Sequence, residues 1–198
     1  MALKISEIGT VTQAVGGWPA PLGIVIRADG ISAVFLLALS VIGVGVSVYA
    51  RSYFGPSTTS DNRQSRYFWP LWLFVLAALS AMFVSGDIFN LYVTLEIKGL
   101  AAAALVALAG RPGAVRAALR YLFVSLTGSL FYLMGVAIIY GGYGALDLTV
   151  LATRVTTEPA AMTALAFMTG GLMMKAALFP MHFWLPPAHS SAPAPVSA

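Results

Sequence analysis

Apolar positions in this chain fall in long unbroken runs instead of alternating with polar ones. Five such runs cover residues 29–50, 68–85, 88–109, 121–140 and 161–179. Each is close to twenty residues, enough as a helix to cross about 30 Å of hydrocarbon at ~1.5 Å per residue. Apolarity on every face argues for spanning helices over amphipathic surface helices. The pattern therefore predicts an all-α integral membrane protein with about five transmembrane helices plus a Pro-broken half-helix. The chain divides into an extracytoplasmic segment at 1–28, a five-helix membrane domain at 29–179 and a broken-helix region at 180–198.

The links between runs set their direction. The link after the first run holds Arg51, Arg63 and Arg66 against Asp61, and the link after the third holds Arg111, Arg116 and Arg120 without an acid. Asp147, Arg154 and Glu158 lie between the fourth and fifth runs, and little more than Gly86 and Asp87 joins the second to the third. Basic links stay cytoplasmic. Both arginine links fall on one side of an alternating five-span path, which puts residues 1–28 outside and the end of the fifth run inside. The expected location is a multi-pass cell membrane, of the prokaryotic plasma-membrane type. Residues 16–21, rich in Gly and Pro, read as an extended loop with Trp18 at the headgroup level.

Composition agrees and removes several chemistries. Of the 198 residues, 59% are hydrophobic and 9% charged, against roughly 25% charged in a typical soluble domain. There is no Cys, so the chain supplies no iron–sulfur, zinc-thiolate or thioether-haem ligands. Its two histidines, His182 and His189, lie close together near the C-terminus and cannot bridge two helices around a haem. No metal, cofactor or nucleic-acid site is expected. The net charge of +4 arises from few residues and reads as membrane orientation.

Three charges lie where lipid disfavours them. Glu96 and Lys98 sit near the middle of the third run, each about 12 Å or more along the axis from either end. A charge at that depth costs about 2.5–3.5 kcal/mol on insertion scales. The Ala-rich half that follows is a weak lipid anchor, which places the third run inside a bundle. Glu96 and Lys98 project about 200° apart, so each needs its own partner or cavity. Glu96 is either a buried acid serving helix assembly or a functional group, and the same two readings hold for Lys98. Lys175 precedes Pro180 and is either an anchor snorkelling to the cytoplasmic face or a group at a mid-membrane helix break. A desolvated lysine can lose its proton, which suits it to passing protons on. His182 and His189 are candidates for the same work, since imidazole is the side chain best suited to exchanging a proton under ordinary conditions. Asp87 and Asp29 read as helix N-caps, and Ser125 and Ser129, four apart, as a small-residue packing face.

Three stretches resemble a known family. DIFNLYVTLE at 87–96 is similar to the helix bearing a buried glutamate in antiporter-like membrane subunits. Such subunits occur in Mrp-type multisubunit sodium/proton antiporters, in respiratory complex I (NADH-quinone oxidoreductase) and in membrane-bound hydrogenases. LMMKAALFPMHFWLP at 172–186, followed by AHSSAPAPVSA at 188–198, closely resembles the family's broken helix. GWPAPLGI at 17–24 with ADGIS at 28–32 is similar to the Mrp D-type branch.

The resemblance implies a fragment of an antiporter-like fold of about fourteen helices arranged as inverted repeats, from the third helix to the first half of the seventh. It implies that Glu96 is the buried glutamate and Lys175 the central lysine of the broken helix, a pair that helps carry protons. Lys98 departs from the apolar or small residue expected there, and reads as an alternative partner or as a weakening of the Glu–Lys coupling. The function implied is a proton-translocating membrane subunit, with sodium a further candidate ion, working beside other membrane subunits. The competing readings are a membrane-arm subunit of an NADH-quinone oxidoreductase or hydrogenase whose redox chemistry lies in its partners, and a structural fragment without transport of its own.

Overall fold

The computed structural model describes residues 9–18, 23–55 and 62–198. It begins with an element that the apolar runs did not announce, an antiparallel hairpin of β1 (Val11–Ala14) and β2 (Val25–Ala28), with Val11 opposite Ala28. Each strand is four residues long, too short to register as an alternating pattern, though Val11, Thr12, Val25 and Ile26 are β-formers. Gly16 and Gly17, expected in an extended loop, instead close a 3-10 turn at Val15–Gly17, while Trp18 is extended, as expected, and exposed. Residues 19–21, and Asp61 of the first basic link, lie outside the described residues.

Helices α1 (Gly30–Tyr53), α2 (Asn62–Phe83), α3 (Ile88–Ala107) and α4 (Pro112–Tyr143) follow, then the short α5 (Leu148–Arg154) and α6 (Pro159–Lys175). A 3-10 turn at Met181–Trp184, α7 (Leu185–Ser191) and α8 (Ala194–Ser197) complete the chain. The first four are long and apolar enough to cross a membrane. The fifth run is helical only to Lys175, 17 residues in all, and not to residue 179. The fourth helix is longer than its apolar run. Arg116 and Arg120 belong to its exposed first turns and not to a loop, and Pro112 at its first position is pre-organised for helix. The link after it also folds, as α5.

Aspartates start three of the helices. Asp29 accepts hydrogen bonds from the Ser32 N–H and hydroxyl, which hold its carboxyl below the usual range, the N–H most. Asp87 accepts from the Asn90 N–H, and Asp147 from the Thr149 and Val150 N–H groups. Asp87 and Asp147 are both buried, and backbone bonds from Ile88 N–H to Leu146 O and from Leu148 N–H to Gly86 O tie their turns together. The hairpin joins the same end of the bundle through Arg27 N–H to Val84 O and Gly86 N–H to Val25 O. At the far end of α4, Gly144 takes the left-handed conformation (φ 62°) that terminates a helix most cheaply.

Helix α1 lies at the periphery. It exposes Ile31, Val34, Leu37, Val41, Val44 and Val48, as a lipid-facing helix does, and buries chiefly small residues. The tightest packing is between α4 and α6. A Cβ on Gly171 would collide with the Gly128 carbonyl oxygen and the Tyr132 backbone, and one on Gly135 with Met168 and the Ala164 carbonyl. Small residues let two backbones approach where lipid supplies no hydrophobic driving force between helices. The buried residues of α4, among them Tyr121, Ser125, Ser129, Tyr132, Val136 and Ile139, form one continuous stripe. That stripe carries the site.

Candidate functional site

The site begins with the way α6 stops. The Leu178 N–H bonds to Met173 O at 3.1 Å and the Ala177 N–H to Met174 O at 3.3 Å, with Ala177 left-handed (φ 53°). This is a Schellman end, ordinarily built with glycine. The Trp184 Nε1–H donates to Met174 O at 3.1 Å, and its ring stacks on Tyr121 with centroids 4.7 Å apart. The carbonyls freed by the break are thus taken up inside the protein, as irregular backbone at membrane depth requires.

This end lies mid-bundle. Ser125, the α4 residue beside Lys175, is about 20 Å along the axis from the start of α4, and buried Ala117, Ala118, Trp184 and Ala188 form one cluster on that stretch. Of the two readings of Lys175, the geometry matches a broken helix and not a span ending at the surface. The C-terminal dipole of α6 also favours a cation at this point.

Lys175 Nζ donates to Glu96 Oε1 at 3.0 Å and to the Ser125 hydroxyl oxygen at 3.2 Å. The two charged side chains are 9% and 16% exposed, so the pair is largely shielded from solvent. Glu96 comes from α3, whose buried residues Thr94, Gly99, Ala101 and Ala103 place it inside the bundle as its small side chains suggested. Gly99 maintains that approach, since a Cβ there would stand 3.0 Å from Ser125 Oγ.

Ser125 and Ser129 lie on the buried packing stripe of α4, as their spacing implies, and Ser129 has a further role that packing does not imply: its hydroxyl bonds to Glu96 Oε1 and also lies 3.0 Å from the Ser125 carbonyl oxygen. A hydroxyl has one proton and accepts through its lone pairs. It donates to Glu96 when that carboxylate is ionised. When Glu96 holds a proton, Ser129 can accept from it and turn its own proton to the Ser125 carbonyl. The sequence carries only a partial signal, two hydroxyls one turn apart at the middle of an apolar run, and it does not say what they face.

Lys98 does not join this cluster. It faces away from Glu96, as the two-residue spacing requires, and lines a cavity of about 300 Å³ with Lys175, Tyr121, Trp184, Trp72 and His189. His189 is exposed at that cavity, whereas His182 is exposed and stacks on Phe179, centroids 5.7 Å apart. The structure thus brings together Glu96 and Lys175, adds Ser125 and Ser129, and sets Lys98 and His189 on the far side of Lys175. Among the described residues no group of three or more His, Cys, Asp or Glu is placed to hold a metal ion.

Comparison with known proteins agrees with this architecture. Residues 85–198 match the family model described as NADH:quinone oxidoreductase/Mrp antiporter, TM. The chain is 43% identical over 93% of its length to the N subunit of an NADH-quinone oxidoreductase of Desulforudis audaxviator, covering 36% of that protein. It is 32% identical over its full length to the D subunit of a Na(+)/H(+) antiporter of Alkalihalophilus pseudofirmus, covering 40% of it. A chain of the membrane-bound sulfane sulfur reductase, an archaeal respiratory membrane complex, superposes with a TM-score of 0.87 at 31% identity, over 99% of this chain and 40% of that one. The chain thus spans about two-fifths of the length of the relatives it matches. With four described helices long and apolar enough to cross a membrane, a mid-bundle helix break and a matched model over more than half its length, it belongs to the NADH:quinone oxidoreductase/Mrp antiporter family of multi-pass membrane subunits.

Proposed function

We propose that this chain forms part of a proton-translocating membrane subunit, and that Glu96 and Lys175 carry the proton. The observation that bears this reading is the 3.0 Å contact between Lys175 Nζ and Glu96 Oε1 at the end of a broken helix, between apolar helices. Burial favours a neutral amine, whereas a nearby carboxylate favours the ammonium. A small separation of the pair shifts that balance toward release, and its return favours reloading. Ser125 and Ser129 supply hydrogen bonds to both partners, so the pair can part without leaving bare charges in a low-dielectric interior. The left-handed Ala177 gives α6 a defined end at which such a movement can be taken up.

The partners in this reading are other membrane subunits, the ion is the proton with sodium as a candidate for exchange, and the location is a prokaryotic plasma membrane. Support comes from the relatives, which are bacterial and include both a subunit of an NADH-quinone oxidoreductase and a subunit of a Na(+)/H(+) antiporter. A proton path is common to both settings. In the first, the redox chemistry would lie in partner subunits.

The test is proton uptake by inverted membrane vesicles containing the assembled complex. Glu96→Gln and Lys175→Ala are expected to lower the rate at least tenfold while the complex stays assembled. Full rates in both would overturn the assignment.

A further inference from the structure

Among the described residues, the Glu96–Lys175 pair leaves one interior amine, Lys98, without a counter-charge. Lys98 sits mid-helix on α3 and is half-buried, and among the described residues no hydrogen bond or ion pair reaches its Nζ. The elements around its cavity bring Lys175 from α6, Tyr121 from α4 and His189 from α7 as titratable groups. Helix α2 brings Trp72 and Val75, and α8 brings Val196, none of which titrates. Glu96, on the same helix as Lys98, is directed to the other side, toward Ser129 and Lys175.

One carboxylate therefore stands against two interior amines, and it contacts only Lys175. It can neutralise one ammonium, and a second would be an uncompensated charge in a low-dielectric site. The lowest-charge arrangement holds a single proton shared between two amines, which titrate as a coupled set. The cavity between them, about 300 Å³, has room for several waters and polar groups to hold them.

We propose that Lys98 is a second proton-carrying station, which takes the proton that Lys175 releases. This rests on the proton path proposed above. In the step, an N–H bond of the Lys175 ammonium breaks and an N–H bond forms on the neutral Lys98 amine, relayed by water in the cavity. No electrons change hands. The three groups remain neutral as a set before and after, while one positive charge moves from α6 to α3. The path thereby turns from the Glu96 side of α3 to its opposite side, toward the cavity that His189 lines.

The test uses the assembled complex in inverted vesicles, with the amount of complex measured in each preparation. Lys98→Met and Lys98→Arg are each expected to lower proton transport at least tenfold, because Met carries no proton and Arg does not release one. Lys98→His is expected to restore transport with its optimum displaced to lower pH, since imidazole holds a proton only in a more acidic range. A Lys98→Met rate within twofold of wild type overturns the proposal. So does full transport by Lys98→Arg, which would mean that only the charge matters, and so does a Lys98→His variant as inactive as Lys98→Met. If Lys98→Met fails to assemble, the Arg and His variants decide between them. Glu96→Gln and Lys175→Ala run in parallel separate the two levels: loss there with an unaffected Lys98→Met removes only this inference, whereas full transport in both removes the proton path itself.

Discussion

Lys175 and Glu96 are 79 positions apart in sequence and 3.0 Å apart in space. Three helices cooperate in this contact: α3 carries the acid, α6 ends at the amine, and α4 runs between with a hydroxyl for each. Removing one partner of a buried pair is generally costly, about 3–5 kcal/mol, because the other charge is left uncompensated. The serines soften that penalty by offering alternative hydrogen bonds, which lets the pair serve as a moving part as well as a staple.

Ser129 offers the first check on that view. It is 1% exposed, and its hydroxyl bonds to Glu96 alongside the ion pair. Ser129→Ala removes that bond and leaves a small void. Loss of about 1–3 kcal/mol of stability is expected, with transport slowed roughly tenfold, a factor that corresponds to about 1.4 kcal/mol in barrier. Ser129→Thr retains the hydroxyl and should recover much of the rate. Thermal unfolding in detergent and vesicle transport assays measure the two effects.

Ala177 should respond to substitution in the reverse of the usual direction. A left-handed backbone costs a residue with a Cβ about 1–2 kcal/mol, and Ala177 pays it at the Schellman position. Ala177→Gly is expected to raise stability by about 1 kcal/mol, net of glycine's greater unfolded freedom. Ala177→Val should lower it and disturb the seat of Lys175. Melting temperatures of the two variants test the assignment of the break.

Two adjacent glycines make a matched control. A Cβ on Gly171 would collide with the α4 backbone, whereas at Gly170 there is open space. Gly171→Ala is expected to cost about 1–3 kcal/mol by forcing α4 and α6 apart, and to reduce transport with it. Gly170→Ala should be neutral or stabilising by up to ~1 kcal/mol, as in ordinary helix interiors. Equal effects at the two positions would contradict the packing described.

The buried caps Asp87 and Asp147 should be worth about 1 kcal/mol each against Ala. Asp87→Asn should retain most of the stability, because Asn also accepts the Asn90 N–H. Backbone bonds join the two turns, so the double alanine variant should depart from the sum of the singles, as neighbouring sites do. Thermal denaturation of all four proteins measures that coupling.

Much of this protein was legible in its sequence because lipid is a demanding solvent. Twenty apolar residues in a row leave a backbone few options other than a helix, so the runs were set by local composition, though not where each helix begins or stops. The helix caps Asp29 and Asp87 are local as well, since each bonds a backbone N–H three residues on. Charges as costly as Glu96, Lys98 and Lys175 stand out from their apolar runs as single residues. Tertiary structure alone decided which groups met. Ser129 bonds to a residue 33 positions away, and no periodicity in α4 distinguishes a hydroxyl facing a carboxylate from one facing glycine. The β-hairpin depends on pairing between strands too short to stand alone. The split between Glu96 and Lys98 followed from helix geometry. That Lys175 lies between them, paired with one and sharing a cavity with the other, depended on where α6 stops against α4, and close packing of Gly128, Gly135 and Gly171 determines that.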